Sequence, residues 1–265
     1  MSRTRGTWNT KGAWAAGVTA AAVAMLTGYA LFSGDDGGAE TPAKGGPSAS
    51  APSSASPAPS YSVPDDWTEP ERWAALPRGK RTDDRGSEVG FPHTAEGAAA
   101  MLAAANSTTM ENGRTTVDEQ LRIYYSYIGK VDHSTENAEK VELAAMQADK
   151  SLAKAMGVTP GHPLPAGAYQ RNHVVGYKIL RKTPDEVTMW VLSRVTQKAG
   201  ELEKEKGSYT RTVMGVQWRE GDWKITSAAT QRALQDAQSQ TKPEMVAPGD
   251  AEFNRSGWTA IREAS

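Results

Sequence analysis

The ten residues VQWREGDWKI, from Val216 to Ile225, decide the fold of this chain. Their centre, Glu-Gly-Asp, is typical of a tight turn, and the flanking residues alternate between apolar and polar, as expected of a β-hairpin. Trp218 and Trp223 are placed to meet across the two strands, where an aromatic pair contributes up to about 1 kcal/mol. We therefore predict a structural role for these two tryptophans.

Three strands are predicted in this region, the third leading into the turn. The segments Tyr169–Leu180, Glu186–Gln197 and Ser208–Arg219 are rich in β-branched and aromatic residues. The charged run Glu201–Lys206 predicts a solvent-exposed hairpin tip, and Gly215 predicts a β-bulge, because the alternation changes phase there. With the strand that follows the turn, this makes four consecutive strands with short connections, which predict a curved antiparallel sheet.

Three helices are predicted ahead of the strands. Thr94 is suited to cap the first helix, which should end before Asn112. Thr116 followed by Glu119 is a capping-box pattern for the second helix. The third helix covers Asn137–Met156, where apolar residues recur at helical spacing. Helices followed by a run of strands are typical of the α+β class.

This order of elements resembles the cone-shaped fold of the nuclear transport factor two family, whose helices pack into the concave side of the sheet. The hairpin Val216–Ile225 is similar to the last hairpin of many such domains. The stretch VGFPHTAEGAAA, from Val89 to Ala100, is similar to the opening of an uncharacterised family of actinobacterial membrane-anchored proteins, some of them linked to integrative and conjugative elements. The resemblance covers Asp65–Ala228 and implies three helices packed on a curved four-stranded antiparallel sheet.

A single membrane anchor is predicted near the N-terminus. Ala13–Phe32 is a run of twenty residues without a charge, long enough to cross a bilayer as a helix. Arg3, Arg5 and Lys11 precede the run and Asp35 follows it, which predicts a cytoplasmic N-terminus and an extracellular C-terminal domain. The alternative is a cleaved signal peptide, for which the run is long and lacks a good cleavage site.

The chain is therefore predicted to have five parts. The predicted parts are a cytoplasmic tail (1–12), a transmembrane helix (13–32), a disordered Pro/Ser/Ala/Gly linker (33–64), an extracytoplasmic cone-shaped α+β domain (65–228) and a C-terminal tail (229–265) that is weakly structured after Gln231. Where the linker meets the domain, Val63–Leu76 should form an irregular arm with tryptophans on the domain surface, or alternatively a partner-binding peptide.

Composition excludes several kinds of site. The chain of 265 residues has a formal net charge of −1 and no polybasic segment, so we expect no direct nucleic acid binding. It contains no cysteine, which excludes disulfides, zinc–cysteine sites and thiol nucleophiles.

No catalytic constellation stands out in the sequence. The histidines are His93, before a helix, His133 and His162, in loops expected to be exposed, and His173, on a strand. They are isolated from one another and match no metal-ligand spacing, so no catalytic, cofactor-binding or metal-binding residue is predicted. The residues that could place polar groups near the mouth of the cone are Asp118, Glu119, Tyr124, Tyr125 and Tyr127. Helical spacing predicts that Tyr124, Tyr125 and Ile128 belong to the core, and the alternative is that they line a pocket.

These observations lead to a hypothesis about function. The layout of tail, anchor, spacer and exported domain resembles that of bitopic scaffold subunits of conjugative secretion systems, which are not enzymes. We therefore expect a non-catalytic, membrane-tethered assembly module, possessing no cofactor, held in the cell membrane by lipid contacts of its anchor, and binding protein partners or further copies of itself. The alternatives are an exported small-ligand-binding or sensor domain and an isomerase-like enzyme.

Overall fold

A computed structural model describes residues 66–111, 113, 115–159, 162 and 164–262. The anchor predicted at residues 13–32 and the linker predicted at 33–64 lie outside this part of the chain. Within it, no helix is both long enough and apolar enough to cross a membrane.

The described residues form five helices and a mostly antiparallel sheet, which confirms the α+β class. The helices are α1 (Ala95–Asn106), α2 (Thr116–Tyr127), α3 (Thr135–Ala155), α4 (Ser227–Gln238) and α5 (Ala251–Arg255). The strands are β1 (Trp73–Ala75), β2 (Arg81–Thr82), β3 (Glu88–Val89), β4 (Thr108–Met110), β5 (Tyr169–Lys182), β6 (Glu186–Lys198), β7 (Lys206–Arg219), β8 (Asp222–Ile225) and β9 (Thr259–Arg262). The three predicted helices and the four predicted strands are all present.

The main sheet has seven strands rather than the predicted four. Its order is β1-β9-β5-β6-β7-β8, and β4 pairs with β5 beyond the end of β9. Strands β1 and β9 are parallel, whereas the other pairs in this sheet are antiparallel. The three additional strands contain three or four residues each, too few to show a period of two in the sequence.

The segment expected to be a weakly structured tail belongs to the folded domain. Helix α4 packs on the sheet, and β9 inserts between β5 and β1, which comes from the predicted irregular arm. Phe253 and Trp258 are fully buried there. The spacing of Phe253, Trp258 and Ile261 predicts only a final amphipathic turn, and the sheet surface that Phe253 and Trp258 cover makes their burial favourable.

Each face of the sheet carries its own hydrophobic core. Helices α1 and α2 pack on the face that presents Met189 and Val191, which we call the inner face. Helix α4 and the segment around Phe253 and Trp258 cover the opposite, outer face, which presents Trp190. The alternation predicted for β6 is thus confirmed, and the domain has a helical layer on both sides of the sheet.

Gly215 does not form the predicted bulge. It pairs in regular register with Thr188 of β6, and the register shifts lie in β5 instead. A Cβ atom at position 215 would lie 2.0 Å from the carbonyl oxygen of Ala229 in α4. The glycine is therefore needed because the backbone of α4 lies directly against the strand.

The N-terminus of α2 begins one residue earlier than predicted. Thr115, not Thr116, is the N-cap, and it forms a capping box with Asp118, not with Glu119. Glu119 is buried and forms an ion pair with Arg122 at 2.8 Å. Asp118 lies three residues after Thr115, and Glu119 lies three residues after Thr116, so the sequence fits a capping box in either register. Burial of Glu119 leaves Asp118 to form the capping box.

The hairpin β7–β8 is tied to the segment that precedes α1. The buried carboxylate of Asp222 accepts hydrogen bonds from the backbone N–H groups of Gly90, at 2.9 Å, and Phe91, at 3.0 Å. The indole N–H of Trp223 donates to the carbonyl oxygen of Pro92 at 2.8 Å. The two stretches that carried the family resemblance are therefore in direct contact.

The predicted tryptophan pair is confirmed. Trp218 lies opposite Trp223, and their ring centroids are 5.5 Å apart in an edge-to-face arrangement. His93 stacks on Trp218 at 4.0 Å, and its Nε2 atom lies 2.9 Å from the exposed carboxylate of Asp185. His93 thus shapes the entry to α1 as part of an aromatic cluster.

A charged network on the outer face joins α4 to the sheet. The guanidinium of Arg232 in α4 donates two hydrogen bonds to the carboxylate of Glu186 in β6, which also accepts from Gln217 and Arg181. These contacts, chiefly those of Arg232, lower the pKa of Glu186 to about 2. The ordinary pKa of a glutamate is 4.5, so the folded state favours the ionised form.

We expect Glu186→Gln to remove a pH-dependent part of the stability. Because the folded pKa lies below the unfolded one, the contribution of Glu186 is complete above pH 4.5 and disappears as the pH falls toward about 2. Its size is about 2 kcal/mol after allowance for solvent screening at the two partly exposed arginines. Urea unfolding of the original protein and of Glu186→Gln, between about pH 2 and pH 4.5, measures the difference in the free energy of unfolding. The control is Glu136→Gln, which removes an exposed ion pair within a helix. A difference independent of pH would contradict the prediction.

Candidate functional site

The four histidines lie in different surroundings. His162 is exposed, as predicted, and His173 is exposed on β5. The prediction that His133 is exposed is wrong: its ring stacks on Tyr124 and its Nε2 atom lies 3.1 Å from the carbonyl oxygen of Ile128. No group of three or more metal-ligating side chains is present in the part of the chain that the structure describes.

The residues that the sequence placed at the mouth of the cone have separate roles. Tyr124 is buried, as predicted. Tyr127, for which no burial was predicted, is buried as well, and its hydroxyl donates to the backbone oxygen of Glu88 at 3.1 Å. Tyr125 does not belong to the core, because 43% of it is exposed. The spacing of three tyrosines within four positions does not distinguish which ring turns outward.

A cleft of about 400 Å³ lies between α2 and α3. Its lining residues are Leu121, Tyr124, Tyr125, His133, Ser134, Thr135, Ala138, Glu139 and Glu142. The rings of Tyr124 and Tyr125 meet edge to face at 5.0 Å, and His133 stacks on Tyr124 at 4.8 Å. The floor of the cleft is therefore aromatic.

The hydroxyl of Tyr124 forms hydrogen bonds within the wall of the cleft. It donates to the carbonyl oxygen of Ser134 at 3.2 Å and accepts from the backbone N–H of the same residue at 3.0 Å. Burial raises the pKa of Tyr124, so the phenol stays protonated at neutral pH. The two hydrogen bonds to Ser134 fix the position of the Tyr124 ring in the wall of the cleft.

The rim of the cleft is acidic on the α3 side. Glu139 and Glu142 are exposed, and neither forms an ion pair with another described residue. On the α2 side, the guanidinium of Arg85 lies over the ring of Tyr125, 4.3 Å from its centroid. A cation is thus already held against this aromatic surface within the domain.

Two exposed apolar side chains lie on the same side of α3 as the glutamates of the cleft. Leu143 is 65% exposed and Met146 is 46% exposed. Together with Glu139 and Glu142 they occupy positions i, i+3, i+4 and i+7, which places all four on one side of the helix. We call the surface formed by these four residues and Tyr125 the docking face.

The sequence contained a signal for this surface. The apolar stripe predicted for α3 includes Val141, Ala145 and Leu152, which are indeed buried. Leu143 and Met146 lie off that stripe, and two large apolar residues on the solvent side of an amphipathic helix indicate an interaction surface. Recognising it required the tertiary structure, because only the packing of α2 beside α3 places Tyr125 in one cleft with Glu139 and Glu142.

The chain was compared with protein-family models, with curated proteins and with solved structures, and none of the three comparisons found a match.

Proposed function

We propose that this protein is a non-catalytic, membrane-tethered interaction module whose exported domain binds a partner protein through the docking face. The observation that carries the proposal is the exposure of Leu143 and Met146 beside an aromatic cleft. Exposed apolar patches around a concave surface are typical of protein interaction sites.

The chemistry of the docking face favours a basic amphipathic helix as the occupant. Anchors spaced at i, i+3, i+4 and i+7 suit a helix lying alongside α3, with its apolar residues on Leu143 and Met146. The carboxylates of Glu139 and Glu142 flank these side chains and lack ion-pair partners among the described residues. Lysine or arginine side chains of the partner would complement both the carboxylates and the aromatic floor.

The predicted anchor and linker fit this proposal. An anchor at residues 13–32 and a spacer at 33–64 would hold the domain near the outer side of the cell membrane, where other membrane proteins concentrate. The resemblance in layout to scaffold subunits of conjugative secretion systems extends the proposal to assembly of a DNA-transfer apparatus. In that setting the partner is another membrane-bound subunit.

Site-specific photocross-linking in intact cells tests the proposal. A benzoylphenylalanine at position 143 of the full-length protein should capture a membrane protein, and the cross-linked peptide should be a basic amphipathic helix. The same group at Leu202, an apolar residue that is 99% exposed at the tip of the β6–β7 hairpin, is the matched control and should capture nothing specific.

A charge-reversed variant makes the test specific for charge. Glu139→Lys combined with Glu142→Lys should reduce the yield of the 143 cross-link roughly tenfold, because like charges then face the partner. Equal capture from positions 143 and 202 would contradict the proposal. A product made of two copies of this chain would also contradict it, since self-association would then explain the docking face.

A further inference from the structure

Two positively charged side chains converge beside Gly257, which lies between α5 and β9. A Cβ atom at position 257 would lie 3.2 Å from the Nη2 atom of Arg72 and 3.6 Å from the Nζ atom of Lys178. The two nitrogens are therefore close neighbours, although Arg72 precedes β1 and Lys178 belongs to β5. Contacts between remote parts of the chain bring these charges together.

The surrounding backbone holds both residues at this point. The ammonium of Lys178 donates a hydrogen bond to the carbonyl oxygen of Ser256 at 3.0 Å. The carbonyl oxygen of Arg72 accepts from the backbone N–H of Ala260 at 2.9 Å, which fixes the arm beside β9. Gly257 has a φ of 78°, a conformation that favours glycine, so no side chain fills the space beside the two nitrogens.

The two positive charges are not neutralised by a carboxylate of the described residues. Neither Arg72 nor Lys178 forms an ion pair there, and two acidic residues of the adjoining segments have other contacts: Glu252 pairs with Arg255, and Glu69 accepts from two indole N–H groups. Like charges held side by side repel each other, and a bound anion removes that cost. Arg72 is exposed and Lys178 is half-buried, so an anion can reach both from solvent.

We propose that Arg72 and Lys178 form a binding site for a phosphate group. A guanidinium donates parallel hydrogen bonds to two phosphate oxygens, and an ammonium is a compact charge suited to the same group. At neutral pH a phosphate monoester carries a charge of about −1.5 to −2, which matches two cations better than the single charge of a carboxylate does. Dissolved phosphate compounds and phospholipid headgroups both present this chemistry.

The phosphate site goes beyond the docking face and shares no residue with it. It lies among the arm, β5 and the end of α5, whereas the docking face lies on α3 with Tyr125. The predicted linker ends at residue 64, close to Arg72 in the sequence, so an anchored domain would be tethered through the arm that carries the site. A lipid headgroup is therefore one of the two sources to be tested.

NMR titration of the 15N-labelled full-length protein, purified in mild detergent, tests the inference. Inorganic phosphate at millimolar concentration should shift the amide signal of Gly257, whereas sodium chloride at the same ionic strength should not. Arg72→Gln and Lys178→Gln should each weaken phosphate binding roughly tenfold, since each removes a charged donor. Arg78→Gln, at another exposed position close to Arg72 in the sequence, is the matched control and should leave binding unchanged.

A second titration identifies the source of the phosphate group. The probe is dihexanoyl phosphatidic acid, a short-chain lipid with a phosphomonoester headgroup, and its control is dihexanoyl phosphatidylcholine, whose headgroup is zwitterionic. Binding of the phosphatidic acid at least as tight as that of inorganic phosphate supports a lipid headgroup as the ligand. Weaker binding of the phosphatidic acid supports a dissolved phosphate compound.

Three results would overturn the inference. The first is that neither phosphate probe shifts the Gly257 signal. The second is that sodium chloride or sodium acetate, at the same ionic strength, shifts this signal as much as phosphate does. The third is that Arg72→Gln and Lys178→Gln bind phosphate as tightly as the original protein.

Discussion

Gly215→Ala is expected to destabilise the domain by roughly 4 kcal/mol or more, enough to prevent folding in a marginally stable protein. The new Cβ atom would lie 2.0 Å from the carbonyl oxygen and 2.2 Å from the carbonyl carbon of Ala229. Because these are backbone atoms, no rotamer change relieves the clash, and α4 must move off the strand. That movement would also loosen the contacts of Ala233 with the outer core.

Gly207→Ala is a control on the same strand. A Cβ atom at position 207 would meet nothing closer than 4.0 Å, so its effect should be within about 1 kcal/mol. Urea unfolding followed by tryptophan fluorescence measures both variants. Equal stability of Gly215→Ala and the original protein would show that α4 does not lie against β7 at this point.

Asp222→Ala is expected to cost about 3–5 kcal/mol. The carboxylate accepts hydrogen bonds from the backbone N–H groups of Gly90, Phe91 and Trp223, and from the ammonium of Lys224 at 3.3 Å. Removing it leaves these donors without an acceptor in a site that water does not reach freely. We also expect the segment before α1 to separate from the hairpin β7–β8, since Asp222 joins the two.

Asp185→Ala provides the matched comparison. The Asp185 side chain is largely exposed, and among the described residues its carboxylate contacts His93, so its loss should cost less than about 1 kcal/mol. Thermal unfolding ranks the two variants, and hydrogen exchange at the amides of Gly90 and Phe91 locates the effect. Unchanged protection of these two amides in Asp222→Ala would contradict the assignment.

The docking face was partly visible in the sequence. Leu143 and Met146 depart from the buried stripe of α3, which a helical projection detects. Arg72 and Lys178 give no such signal, because an exposed arginine or lysine is ordinary at a protein surface. Their proximity depends on how the arm and β5 meet beside Gly257, and the sequence pattern does not contain that information.

The sequence by itself determined the class of the fold and its longest elements. Strands β5, β6 and β7 and helix α3 have thirteen or more residues, so their periodic patterns are strong enough to identify them within two residues of their ends. The turn before Asp222 was equally clear, since glycine and its neighbours there are typical of one kind of turn.

Only the tertiary structure decided the rest. The short strands β1, β4 and β9 are stabilised by pairing with distant strands, and α4 is held by the close approach that Gly215 permits. The role of Asp222 also depends on the tertiary structure, because its backbone partners at Gly90 and Phe91 are about 130 residues away in the sequence. These features depend on contacts between remote parts of the chain, and a local pattern records only the preferences of neighbouring residues.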